Sequence, residues 1–273
     1  MTDLAVSAAT RSSLLLLQRT ASVRAEASQR LSTGLRVERP ADDPAAFYQA
    51  QGLRARVRDL LQAKDQIGQA TAAVESALAG ADAIEELAGQ LKGLALSVQG
   101  GTAEQRQIAA QQFDVIRQQI DALANDVSYG GAALLAETSG SLEVNLNGDG
   151  PYDLTVDGHA AGADGLGIGS AVSDHNAFAT DADVANALSQ VNLAITKVRS
   201  FAADFGNDVA VLTARDEFNE SLAGTLEVGA AKLVDADLNT EAARLLATQV
   251  REQLGVETLR ISGQSQSILA TLI

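Results

Sequence analysis

Apolar residues recur at alternating spacings of four and three through both halves of the chain, and the pattern stops once, in the middle. After the interruption it reads Val184, Leu188, Val191, Ile195, Val198, Ala202, Phe205, Val209 and Leu212 without a break. Before it come Leu53, Val57, Leu60, Lys64, Ile67, Thr71, Val74, Leu78 and Ala81, a line that slips at Gly80 and resumes as Ile84, Ala88, Leu91, Ala95 and Val98. A stripe of this period makes a helix that buries one face on another helix. Two long rods on either side of a turn-around pair most easily as a hairpin, which brings the N- and C-terminal segments together. The predicted fold is mainly α: a long antiparallel coiled-coil helical hairpin with paired N- and C-terminal helices and a small β-hairpin in the middle.

Composition supports helices over a broad core. The 273 residues are 46% hydrophobic and only 3% aromatic, so the apolar mass is Ala, Leu, Val and Ile, which suits helices packing on one another. A net charge of −15 argues against nucleic acid as a partner, because nothing would neutralise phosphates. There is no cysteine, which excludes a disulfide scaffold, a thiolate metal site and a cysteine nucleophile. No basic segment followed by an apolar run and a cleavage site opens the chain, and Leu14 to Leu17 is far too short to span a membrane. These facts alone suggest a cytoplasmic protein without membrane insertion.

Local signals divide the chain. From Thr2 to about Thr33 the pattern is helical, with Leu16, Thr20, Val23, Ala27 and Leu31 along one stripe and Gly34 as its end. Four successive leucines, Leu14 to Leu17, cover every side of that helix, since each residue advances about 100°. Asp43 before Pro44 is a strong helix start, and the rod from Pro44 to about Gln99 would measure roughly 84 Å at 1.5 Å per residue. Gly100-Gly101 turns the chain, and Thr102 with Gln105 fits a capping box. A third helix follows, striped by Ala109, Phe113, Ile116, Ile120, Leu123 and Val127, and closes at Gly130-Gly131.

In the middle the period becomes two. Leu142, Val144 and Leu146, then Tyr152, Leu154 and Val156, flank Asn147-Gly148-Asp149-Gly150-Pro151 and read as a β-hairpin. No Lys or Arg lies between Arg117 and Lys197, and the acids of that stretch are expected to face solvent. The Gly-rich run Gly162 to Gly169 reads as a loop. In the last helix, from about Asp237, Leu254, Ile261 and Ile268 recur every seven residues, and Leu245, Leu259 and Ile273 every fourteen. Leu254 and Leu259 stand roughly 140° apart around the helix, so the last helix needs neighbours on two sides. One N-terminal helix supplies one of them, and the rest implies contact between copies of the chain.

No catalytic constellation is visible: the only histidines are His159 and His175, and no metalloprotease, phosphate-loop or nucleophile-elbow motif occurs. Asp149, Asp153 and Asp157 lack the spacing of a calcium loop and read as solvated hairpin acids. The chain is expected not to be an enzyme, with no cofactor and no metal.

Two blocks carry a resemblance. Arg30-Leu31-Ser32-Thr33-Gly34-Leu35-Arg36, then Ala41-Asp42-Asp43-Pro44-Ala45, resembles the N-terminal signature of bacterial flagellins, and Asn125 to Leu135 resembles the close of that family's N-terminal region. Leu233 to Leu238, Gln249 to Gly255 and Gln264 to Leu269 are similar to the flagellin C-terminus, particularly in short flagellins of alphaproteobacteria. Together the matches span about residues 1–140 and 180–273. The opening Met1-Thr2-Asp3-Leu4-Ala5-Val6 departs from the usual start of the family. So do Gln90 and Gly93, which stand where flagellins detected by the animal innate receptor usually carry Arg and Glu. The departure implies weak recognition by that receptor.

The resemblance implies a structural subunit that self-polymerises into the bacterial flagellar filament for swimming motility, secreted through type III export to an extracellular filament. Residues 1–40 with 237–273 would be the terminal coiled coil of the inner tube, and 41–140 with 180–236 a helical rod domain. Residues 141–179 would be its β-hairpin and acidic loop, with no large outer domain. Partners would be other copies of itself, hook-associated and cap proteins and an export chaperone. The expected subunit interface is Leu14, Leu17, Val23 and Leu31 with Leu254, Ile261, Ile268 and Leu272. The helix start and family motif are Arg30, Leu31, Gly34, Asp42, Asp43 and Pro44. Both ends are expected to order on assembly. Arg24, Arg30, Arg36 and Arg39 either pair with carboxylates of neighbouring subunits or form a solvated face. The alternatives are the hook-filament junction protein of the same axial superfamily, which carries a motif like Asp42-Asp43-Pro44, and a cytoplasmic coiled-coil scaffold.

Overall fold

A computed structural model describes residues 8–148, 150 and 154–271. Its helices begin and end where the local chemistry dictates. Asp43 Oδ1 accepts the Ala46 amide at 3.1 Å, so a carboxylate satisfies a free donor of the first turn. Helix α2 then runs Pro44–Ser97, following α1, Ala8–Thr33. Gly100, at φ +71°, turns the chain into α3, Ala103–Asp126. The expected capping box is formed there: the Gln105 amide donates to the Thr102 hydroxyl and the Thr102 amide to the Gln105 side chain. Strands β1, Ser141–Val144, and β2, Leu154–Asp157, pair antiparallel with Leu142 opposite Val156 and Val144 opposite Leu154. Asp149 and Pro151 of the hairpin tip, with Tyr152 and Asp153, lie outside the described residues. Helix α5, Asp181–Val234, and helix α6, Leu238–Thr271, complete the chain.

The chain divides into two compact units, residues 56–224 and residues 1–55 with 225–273, and both boundaries fall inside helices, α2 and α5. The larger unit contains the main core. Ile67, Val74, Ala81, Ile84, Ala88, Leu91 and Ala95 from α2 meet Val184, Val191, Val198, Phe205 and Leu212 from α5, all buried, with Phe113 and Ile120 of α3 between. The two long helices are antiparallel in register: Lys64 reaches Glu220 at 2.7 Å and Arg199 reaches Glu85 at 2.7 Å, the same number of residues apart on both helices. The slip at Gly80 has a steric cause. A Cβ there would stand 2.7 Å from Val127 Cγ2 and 2.8 Å from Leu135 Cδ1, so the helix presents backbone where the chain leaving α3 crosses it.

The described acids of the middle stretch are exposed as expected, apart from half-buried Asp183, and several of them also bind partners. Asp164 pairs with Arg117. Asp181 pairs with Arg106 and accepts the Gly100 amide, and its carboxyl is held below the usual range by that amide and by the guanidinium. Asp183 caps the start of α5 through the Thr180 hydroxyl and amide. The segment read as a Gly-rich loop also contains one helical turn, α4, Ala163–Leu166, begun by Asp121 Oδ1 accepting the Ala163 amide at 2.7 Å. A short 3-10 turn, Asn176–Phe178, buries Phe178 edge-on against Phe113, with ring centroids 5.5 Å apart.

Candidate functional site

The family-motif residues build the joint on which the terminal helices pair. Gly34, at φ +71°, donates its amide to the Arg30 carbonyl at 2.8 Å and stops α1. The chain then runs antiparallel to residues 234–236. The Arg36 and Val37 amides donate to the Val234 carbonyl at 2.7 and 3.1 Å, and the Ala236 amide to the Gly34 carbonyl at 2.9 Å. Asp42 Oδ2 accepts the amides of Glu38 and Arg39 at 3.1 and 2.9 Å, and the Arg39 amide above all holds its carboxyl below the ordinary range. A small core of Val37, Ala46, Ala50, Ala230 and Val234 closes beneath. Asp237 caps α6, accepting the amides of Asn239 and Thr240 and the Thr240 hydroxyl.

Beyond this joint α1 and α6 pair antiparallel. Arg24 Nη1 meets Glu252 Oε2 at 2.7 Å, and Arg30 Nη1 meets buried Glu241 at 3.0 Å, which also faces Arg244. Leu17 lies over Gly255, where a Cβ would stand 2.6 Å from Leu17 Cδ2. Thr20, Ala27 and Thr248 are buried between the helices. Both threonine hydroxyls donate at 2.9 Å to carbonyls four residues back, Leu16 and Arg244, so neither is buried unsatisfied.

The phase of α1 differs from the expected stripe. Leu16 is 63% exposed and Val23 38%, while Leu17, Thr20, Ala27 and Leu31 form the inward line. Because Leu14 to Leu17 covers all sides, the small residues Thr20 and Ala27 choose which leucine turns inward. Three of the four arginines have partners within the chain, and Arg39 is exposed. Arg24 and Arg30 bind carboxylates of their own chain, and Arg36 Nη2 donates to the Leu233 carbonyl at 2.6 Å.

The expected interface residues therefore fall in two groups. Leu17 and Leu31 are half-buried on the inner line. Leu14 (45% exposed), Val23, Leu254 (62%) and Ile261 (56%) point outward, joined by Leu246 and Val250. Ile268 lies within α6 with its side chain outside the description, and Leu272 lies outside the described residues. Leu245 and Leu259 are half-buried, so α6 carries apolar residues on two sides. Gly255, Thr248 and Glu241 belong to the joint and were missed by the apolar pattern; small or polar residues at seam spacing were the signal. Gln90 and Gly93 are exposed on α2. Among the described residues no three His, Cys, Asp or Glu side chains gather as metal ligands, and no helix is long and apolar enough to cross a membrane.

The geometry defines a class of protein: a helical hairpin whose paired terminal helices keep an apolar face outward. Residues 4–140 match the family described as the bacterial flagellin N-terminal helical region. A flagellin of Caulobacter vibrioides, FljM, is 29% identical over 95% of both chains, and a flagellin of Brucella melitensis is 26% identical over 88% of both. The crystal structure of Bacillus cereus flagellin aligns with 56% of this chain and 88% of that one at 16% identity and a TM-score of 0.48. This chain belongs to the bacterial flagellin family.

Proposed function

We propose that the chain is a subunit of an extracellular flagellar filament, serves swimming motility, and adds to a growing end through the outward faces of α1 and α6. One observation carries this reading. With Leu17, Thr20, Ala27, Thr248 and Gly255 already filling the seam between the helices, Leu14, Val23, Leu254 and Ile261 remain exposed on the same helix pair. Leu254 and Ile261 share one side of α6, while Leu14 and Val23 flank the seam on α1, and exposed apolar residues of this kind mark a protein contact. Burying them in other copies offsets the entropy of ordering the ends, so free subunits have loose termini and polymerise only where an existing end offers a docking surface. Hook-associated and cap proteins bound the filament, and an export chaperone covers these residues before type III export.

The test is electron microscopy of purified protein with short filament seeds. Long tubular filaments are expected, and Ile261→Asp abolishes them because it buries an unpaired charge. Normal filaments from that variant would sink the assignment of the interface. Short capped ends would point to the junction protein, against which the end-to-end likeness to named flagellins weighs. Failure to join a matched seed would return the scaffold reading.

A further inference from the structure

Asn147-Gly148, at the tip of the hairpin, is the only Asn-Gly pair in the chain, and its surroundings explain the glycine. Gly148 has φ +71°, and a Cβ on it would run into the backbone carbonyl of Asp59 on α2. The tip is thus seated on the helix by bare backbone, in a conformation that glycine adopts without strain. Beside it, the Asn219 side-chain amide donates to the Leu146 carbonyl at 2.7 Å and ties the tip to α5. The missing side chain also gives the pair a chemistry of its own. A backbone nitrogen that follows asparagine can attack the asparagine Cγ, and the approach is least hindered when that nitrogen belongs to glycine. In the folded chain Asn145 stands in the way. Its Oδ1 accepts the Gly148 amide at 2.7 Å and the Asn147 amide at 3.1 Å, while its Nδ2 donates to the Gly150 carbonyl at 3.0 Å. The nitrogen that would attack is therefore held with its N–H directed at Asn145. Asn147 Oδ1 is buried and accepts no hydrogen bond from the described residues, so no partner of its own secures the side chain.

We infer that Asn147 is a site of spontaneous modification, converted to aspartate and isoaspartate through a cyclic imide while the chain is unfolded, and that Asn145 blocks the reaction in the folded hairpin. The Gly148 nitrogen gives its proton to solvent and forms a bond to Asn147 Cγ. The Cγ–Nδ2 bond breaks, and ammonia leaves with a proton taken from water. A water molecule then opens the imide at one of its two carbonyls. Opening at Cγ gives aspartate, and opening at the main-chain carbonyl gives isoaspartate, whose backbone runs through the former side chain. Aspartate places a carboxylate where a buried amide oxygen already lacks a partner. Isoaspartate lengthens the main chain just where Gly148 meets the Asp59 carbonyl, and the seat has no room for it. The reactive pair is thus the cost of seating the tip on glycine, and the Asn145 side chain is its guard.

The experiment incubates the full unassembled chain in mildly alkaline buffer, folded and in urea. Mass spectrometry of the proteolytic peptide follows ammonia exchanged for water at Asn147, and enzymatic methylation reads isoaspartate. The folded chain is expected to convert about ten- to a hundredfold more slowly than the denatured one, since reaction waits on opening of the two amide bonds to Asn145. Asn145→Ala removes the acceptor, and is expected to raise the folded rate about tenfold while leaving the denatured rate unchanged. Asn145→Asp keeps an acceptor oxygen for both amides and should stay protected. Circular dichroism of the helices establishes that each variant is folded. No conversion in the denatured parent would overturn the site. Equal rates in the folded and denatured parent, or a folded Asn145→Ala no faster than the parent, would overturn the guard. Should Asn145→Ala fail to fold, conversion of folded Asn145→Asp at the denatured rate would overturn it equally.

Discussion

At residue scale, Gly255 decides how closely the terminal helices approach. It sits on α6 beneath Leu17, and its missing Cβ is the space the Leu17 side chain occupies. Gly in a helix interior costs roughly 1 kcal/mol against Ala, so close packing has to compensate for a residue that weakens α6 locally. Gly255→Ala is expected to loosen the pair despite its better helix propensity. Leu17→Ala in the same chain should recover part of the loss, because it vacates the contested space. Seeded elongation rates of the two single variants and the double variant form the cycle that checks this. Strictly additive losses would mean that the two residues do not compete for one space. Neither partner stands out in sequence. Leu17 is one of four consecutive leucines and Gly255 is one of 23 glycines, and only the neighbouring helix distinguishes them.

At the scale of elements, the helix starts depend on exposed carboxylates. Asp183 and Asp237 cap α5 and α6, Asp181 accepts the Gly100 amide and Asp42 ties the turn before α2, and all four titrate below the usual carboxylate range. A carboxylate depressed in the folded chain contributes stability above its ordinary value and loses it as pH falls through the depressed one. Helix content should therefore hold from neutrality to about pH 4 and fall below it. Asp237→Asn is expected to shift less with acid than the parent, because an amide still caps but does not titrate. Circular dichroism at 222 nm against pH reads both.

The same scale shows what was legible in the sequence. The α2 and α5 seams were, because long heptad runs allow one phase and Asp43-Pro44, Thr102-Gln105 and Gly34 mark ends with local chemistry. The phase of α1 was not, because an all-round leucine run carries no phase. Nor was α4, whose first amide is capped by Asp121, and the turn after it, where Asp114 of α3 accepts the Ala171 amide at 2.7 Å, since these bonds reach more than forty residues along the chain.

At the scale of the whole molecule, charge and apolar surface are segregated. Residues 56–224 carry 24 acidic side chains against 9 basic ones, while residues 1–55 and 225–273 together carry 11 of each. The entire net charge of −15 thus belongs to one compact unit, and the unit bearing the outward leucines is neutral. Two copies meeting through their terminal helices feel no net repulsion from those helices, yet each brings a strongly like-charged unit into the other's vicinity. Repulsion between exposed charges reaches about 30 Å at 0.01 M salt and about 8 Å at physiological ionic strength. The apolar contact itself depends far less on salt over this range. Seeded elongation should therefore speed up, and the concentration needed to sustain it should fall, as sodium chloride rises from about 10 to 150 mM. Exchanging several unpaired acids of residues 56–224 for their amides should reproduce the effect at low salt and flatten the dependence. Elongation that slowed with salt would mean that attraction between opposite charges on neighbouring copies, and not apolar contact, drives assembly.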